Sequence, residues 1–181
     1  MGKRFDYVPT QLTKAFRKAQ SDEKFQGWLK MQEAIMDIEF PIYDLPEVAN
    51  EMFTKDSLEK AEAKLLELYP DDRTAYATDD DIDRTMRYVY YVGETFRRAL
   101  DGIWVALPPN DPKKNKEALE PAIDLPFSEA FIQPTVLVRF ALNRRTGNEI
   151  VTVFGNMERV YRQWVDDGRP ERVFRGTLRE D

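Results

Sequence analysis

The sequence predicts a mostly helical α+β single domain with a small antiparallel sheet near residues 103–132. Three observations predict it. Apolar residues recur at steps of three and four through the first hundred residues, the period of helices with one buried face. The run Ile103-Trp104-Val105-Ala106-Leu107 lies between Gly102 and Pro108-Pro109, which reads as a short bounded strand. Finally, 181 residues with 42% hydrophobic and 12% aromatic side chains suffice for one real core.

Pro9-Thr10 opens a first helical segment with Leu12, Phe16 and Ala19 on one stripe. Ser21 is placed to cap the next helix, where Phe25, Trp28, Leu29, Gln32, Ile35 and Met36 recur at helical spacing. Pro41 and Pro46 bracket a connection, and a short helix through Val48 and Met52 is expected after it. Thr54 then caps a helix carrying Leu58, Ala61, Leu65 and Leu68, which Pro70 stops. The strongest helix runs from about Asp79 to Leu100, with the seam Ile82, Met86, Val89, Gly93, Phe96 and Leu100. Thr78 caps it, with Asp81 at the third helical position. Asp101-Gly102 ends it, and Gly102 suits the left-handed position that closes many helices.

After the first strand comes a polar loop over 110–120 with Lys113, Lys114 and Lys116. Extended pieces follow at Ile123-Asp124-Leu125 and Ala130-Phe131-Ile132. Residues 134–154 read two ways. Val136, Val138, Phe140 and Leu142 alternate, and Thr146-Gly147-Asn148 suits a hairpin turn. Pro134 also suits a helix start, with Val136, Leu137, Phe140 and Ala141 on one stripe. Helix is the favoured reading, because Val153, Met157, Val160, Tyr161 and Trp164 continue as a second helix, ended by Asp166-Asp167-Gly168. The domain is thus expected over 1–168, helical over 1–101, with the sheet and C-terminal helices over 102–168. Residues 169–181 form a charged tail, expected to be loose.

Composition removes whole classes of chemistry. Without cysteine there are no disulfides, thiolate nucleophiles or Cys-type zinc sites. Without histidine there is no Ser-His-Asp triad, H-E-x-x-H zinc site or Cys-His dyad. No apolar stretch near Met1 resembles a secretory signal, Asp6 disfavours myristoylation, and no run is long enough to span a membrane. A cytoplasmic location is the expectation. Neither G-x-x-x-x-G-K-[ST] nor G-x-G-x-x-G occurs.

Charge is unevenly spread over a net −6. Residues 1–30 hold 7 basic and 3 acidic side chains, residues 31–83 hold 4 and 16, and residues 84–181 hold 16 and 14. A strongly anionic middle third steers association with a basic partner and repels nucleic acid.

Three constellations are candidates for function. Asp79-Asp80-Asp81-x-Asp83 puts four carboxylates in five residues. It reads first as a helix N-terminus complementing the dipole, and otherwise as an interaction surface or a cation site, although EF-hand spacing is absent. Gly93 sits on the apolar seam, where glycine costs about 1 kcal/mol against alanine, so a large ring such as Trp104 is expected to approach it closely. Glu94 can reach Arg97 or Arg98 one turn on, as a structural ion pair or a catalytic acid. Tyr88, Tyr90 and Tyr91, beside Arg84 and Arg87, read as helix packing rather than a nucleic-acid stacking face in so acidic a chain.

The pattern Y-V-G-E-x-x-R-R-x-x-x-G-x-W, carried here by Gly93, Glu94, Arg97, Gly102 and Trp104 and followed by Pro134, resembles a set of small uncharacterised bacterial proteins over about residues 85–155. The resemblance implies a helix after Pro134 and carries over no activity, cofactor or catalytic residue. The function expected is that of a non-enzymatic, immunity- or inhibitor-like acidic protein binding a basic protein, with no cofactor, metal, nucleic acid or membrane partner. The alternatives are a carboxylate-dependent enzyme, Mg²⁺-assisted or not, that uses Glu94 or the aspartates, and a structural subunit making contacts through Trp28, Trp164 and the tail.

Overall fold

Local capping sets most element boundaries in the computed structural model, which describes residues 8–109 and 119–175. Most of the polar loop expected over 110–120, namely residues 110–118, lies outside the described residues, as do residues 1–7 and 176–181. A 3-10 turn, Thr10–Leu12, leads into α1 (Lys14–Ala19), where the Thr13 hydroxyl accepts the Phe16 N–H at 3.1 Å. Helix α2 (Glu23–Ile38) is capped by Asp22, not Ser21. The Asp22 carboxylate accepts the Phe25 N–H at 2.9 Å, while the Ser21 hydroxyl turns back to the Lys18 carbonyl at 3.0 Å. Both are good capping residues; the anion next to the first turn wins that position.

A π-helical turn, Phe40–Asp44, prolongs α2, and a 3-10 turn follows at Pro46–Val48. No α-helix continues through Met52. The backbone closes tight turns instead, and Phe53 takes a left-handed φ of 60° that sets up the next cap. Helix α3 (Lys55–Leu68) starts with a reciprocal box, Thr54 and Ser57 each accepting the other's N–H. A single turn, α4 (Asp72–Ala75), precedes α5 (Asp79–Ala99), which Thr78 caps.

The end of α5 corrects the reading of Gly102. Asp101 takes the left-handed φ of 53°, and the Gly102 N–H bonds the Arg97 carbonyl at 3.0 Å, a Schellman closure. Glycine is required at 102 for space: a Cβ there would stand 2.5 Å from Ile123 Cγ2. Strands β1 (Ile103–Leu107) and β2 (Glu120–Asp124) pair antiparallel with Val105 opposite Ala122. Ile132 bridges to Ile123 and extends the sheet by one residue.

Residues 134–154 are helical and no hairpin forms. Helix α6 (Pro134–Arg144) begins on its proline and α7 (Glu149–Asp166) follows a short turn. Helix wins because it buries Val138, Ala141 and Leu142 on one face and Ile150 and Phe154 on the next, against the other helices.

Helix α5 is the axis of the domain. All nine residues Tyr88–Phe96 are buried, and α2, α3, α4, α6, α7 and β2 pack around them. Its apolar seam is therefore only part of what it buries, and Ile82, the first seam residue, is exposed. Outside this core, Gln11 from the N-terminal turn and Arg172 from the tail converge on the β2 end. The Arg172 guanidinium donates to Asp124 Oδ1 at 2.6 Å and to the Leu125 and Ser128 carbonyls, and Gln11 Nε2 donates to the Glu129 carbonyl at 2.8 Å. The described part of the tail is thus docked, not loose.

A buried carboxyl, Glu62, and an exposed guanidinium, Arg145, clamp α3 to the α6–α7 turn. The fully buried Glu62 carboxylate accepts the N–H groups of Glu149 and Ile150 at 3.0 and 2.9 Å, capping α7, whose N-cap Asn148 makes no side-chain cap. In return Arg145, itself left-handed at φ 54°, donates to the Leu66, Tyr69 and Pro70 carbonyls at the end of α3. Glu62→Ala should destabilise the protein by about 2 kcal/mol, because it strands two amides and removes a cap. Urea unfolding with hydrogen exchange at the Glu149 and Ile150 amides checks this; unchanged protection there would refute the clamp. Burial raises the Glu62 pKa more than its two N–H donors lower it. The protonated carboxyl therefore favours folding below the unfolded pKa, and that contribution is lost as pH rises through the folded one.

Candidate functional site

Three of the four aspartates, Asp79, Asp80 and Asp81, occupy the first turn of α5, and Asp83 begins the second. Asp79, Asp80 and Asp83 are exposed and Asp81 is half-buried. The Thr78 hydroxyl bonds Asp81 Oδ2 at 2.7 Å while accepting the Asp81 N–H, so Asp81 completes the cap. The helical twist fans the four carboxylates around the axis. Among the described residues no group of three or more acidic side chains is placed to hold a metal ion.

The second constellation comes together completely. Gly93 faces Trp104 and Pro134: a Cβ at 93 would lie 2.2 Å from Trp104 Cη2 and 2.8 Å from Pro134 Cγ. The Trp104 ring fills that space, stacked on Tyr90 with centroids 5.2 Å apart and edge-on to Trp28 at 5.8 Å. Its indole N–H donates to Glu94 Oε2 at 2.9 Å. Arg97 donates to both Glu94 oxygens, at 2.8 and 2.7 Å, and Arg98 Nε donates to Oε1 at 2.7 Å.

Glu94 is only 3% exposed and accepts four hydrogen bonds, which occupy both oxygens fully. Burial pushes its pKa up, but the bonds from Arg97, Arg98 and Trp104 outweigh burial and hold the carboxyl below its usual value. A general acid needs the opposite: a proton held near neutral pH and a free path to a substrate. Glu94 anchors helix α5 to strand β1 and has no lone pair left for a reacting group.

The tyrosines divide similarly. Tyr88 donates to the Asp44 carbonyl at 2.8 Å and Tyr91 to Ser57 Oγ at 2.6 Å, both within the core. Trp28 packs against Phe25, Tyr90 and Trp104. Trp164 lies against Phe127 and Tyr161, and its indole N–H donates to the Pro170 carbonyl at 2.9 Å. Phe127, Met157, Val160 and Trp164 border a shallow groove of about 480 Å³ on α7.

Two features escaped the sequence reading. One is the Asp44–Arg87 pair, a fork of two bonds at 2.6 and 2.8 Å that ties the π-helical turn to α5. The other is an exposed apolar edge on α2. Phe25, Gln32 and Met36 face the core, yet Met31, Ile38, Ile42 and Tyr43 stand in solvent at 52%, 65%, 55% and 79% exposure. Its signal is present in the sequence: Met31 and Ile38 flank Ile35, which packs on the core, at steps of four and three, and so widen the apolar surface of α2 beyond its core stripe.

No protein-family model, curated protein or solved structure matches the chain. Among the described residues no helix is long and apolar enough to cross a membrane.

Proposed function

We propose that the chain is a non-catalytic interaction protein that binds a basic protein partner through its anionic middle third, in the manner of an immunity protein or inhibitor. The observation that carries this reading is the accessibility of that charge. Eleven of the sixteen acidic residues in 31–83 are exposed, and only Asp44 and Glu62 are buried. Among the described residues, Glu33, Asp37, Glu39, Glu47, Asp79, Asp80 and Asp83 enter no ion pair with a side chain. Unneutralised surface carboxylates concentrated in one stretch set up a field that draws in a cationic partner and rejects anionic ones. The occupancy of Glu94 by its own arginines and Trp104 leaves the carboxylate-enzyme alternative without its first candidate acid.

The tagged chain, used as bait against purified basic and acidic proteins of similar size, should retain the basic ones at low ionic strength and release them at high. Opposed charges screen over about 10 Å at 0.1 M salt, so an association led by charge must weaken steeply. Retention indifferent to salt would refute the charge-led reading.

A further inference from the structure

We propose that the contact face for a basic partner is the outer side of α2 and its π-helical turn, and that its occupant is a cationic amphipathic helix. This rests on the reading that the partner is basic and says where, and with what shape, it docks.

The face has an apolar spine. Met31, Ile35 and Ile38 follow one another along one side of α2, and Ile42 and Tyr43 continue into the turn Phe40–Asp44. Four of these five side chains are more than half exposed, a concentration unusual for a surface with nothing to meet. From Met31 onward the rim is acidic, the lysines of α2, Lys24 and Lys30, lying before it at the N-terminal end. Residues 31–54 contain six carboxylates and no Lys or Arg. Arg87 neutralises Asp44 and Lys60 neutralises Glu51, which leaves Asp37, Glu39 and Glu47 exposed on this side, Glu33 lying across α2 toward Arg97.

The face is also held in shape. The Arg87–Asp44 fork and the Tyr88 hydroxyl on the Asp44 carbonyl fasten the turn bearing Ile42 and Tyr43 to the central helix. A rigid apolar strip with a carboxylate rim complements a helix with apolar residues at i, i+3, i+4 and i+7 and Lys or Arg beside them. It repels the headgroups of an anionic membrane and the phosphates of nucleic acid.

The test uses three synthetic peptides against the full chain: a Leu/Lys helix with an apolar stripe, a scrambled peptide of the same composition, and a Leu/Glu helix with the same stripe. Fluorescence anisotropy should give binding to the striped cationic helix at least tenfold tighter than to either control. Ile38→Asp and Tyr43→Asp should each weaken it at least tenfold, although each adds a negative charge to a side chain that bears little of the fold. Asp79→Asn/Asp80→Asn/Asp83→Asn should leave it within about twofold. Equal binding of striped and scrambled cationic peptides, undiminished in Ile38→Asp, would overturn this face while leaving the charge-led function standing. Binding to neither cationic peptide would overturn both. A wild-type dimer that Ile38→Asp dissolves would also overturn the proposal, since a second copy of the chain would then be the occupant.

Discussion

Gly93→Ala is expected to destabilise the protein by about 2 kcal/mol, the reverse of the usual gain from replacing a helical glycine. In an exposed helix the substitution gains about 1 kcal/mol. Here the added methyl would stand 2.2 Å from Trp104 Cη2, 2.7 Å from Cζ2 and 2.8 Å from Pro134 Cγ. All three atoms belong to rings, and neither ring can yield cheaply. Trp104 is tied to Glu94 through its indole N–H and wedged between Tyr90 and Trp28, while Pro134 is the buried first residue of α6. Overpacking of this kind costs about 1–3 kcal/mol, and aromatic pairs about 0.5–1.5 kcal/mol each when broken. Urea midpoints with near-ultraviolet circular dichroism will read the loss and the disturbed tryptophans together. A Gly93→Ala protein as stable as wild type, with an unchanged aromatic spectrum, would show that the ring does not occupy that space.

This contact was legible in advance because its signal is local: a glycine on an apolar seam, with one tryptophan a strand-start away. The same holds for Thr54 and Thr78, whose capping bonds span three residues. Where two neighbours could each play a role, sequence alone chose badly. Asp22 takes the cap assigned to Ser21, and Asp101 takes the backbone angle assigned to Gly102. What stayed out of sight depends on partners far along the chain. Asp44 is made safe by Arg87, 43 residues on, and Glu62 by two amides 87 and 88 residues on. Both carboxylates look like ordinary members of an acidic stretch until the fold buries them. Periodicity also understated α5: Tyr90, Val92 and Thr95 lie off the seam and are buried all the same, because helices pack around the whole circumference. The outer stripe of α2 was missed for the converse reason. The apolar surface of α2 is wider than the part its core covers: Ile35 packs on the core while Met31 and Ile38 beside it reach solvent.

Glu94→Gln should cost about 2 kcal/mol at neutral pH, and that difference should shrink as the solution is acidified. The amide keeps the shape of the carboxylate but offers one acceptor oxygen and an NH₂ group, facing four donor bonds from Arg97, Arg98 and Trp104. At least one donor is left facing another donor. Arg97 and Arg98 have side chains 36% and 53% exposed and can turn partly to water, so the penalty falls short of the roughly 3–5 kcal/mol for stranding a fully buried charge. Trp104 cannot turn away without unstacking from Tyr90. The sign with pH follows from the depressed pKa. The folded carboxyl gives up its proton more readily than the unfolded one, so its contribution is complete above the unfolded value of about 4.3 and is lost as pH falls through the lower folded value. Glu62 titrates in the opposite sense, but it is present in both proteins and cancels from the difference. Urea unfolding of both proteins at pH 7 and near pH 3 isolates Glu94. A gap that stays constant between those two pH values would mean that Glu94 does not bear the charge on which the Arg97, Arg98 and Trp104 bonds depend.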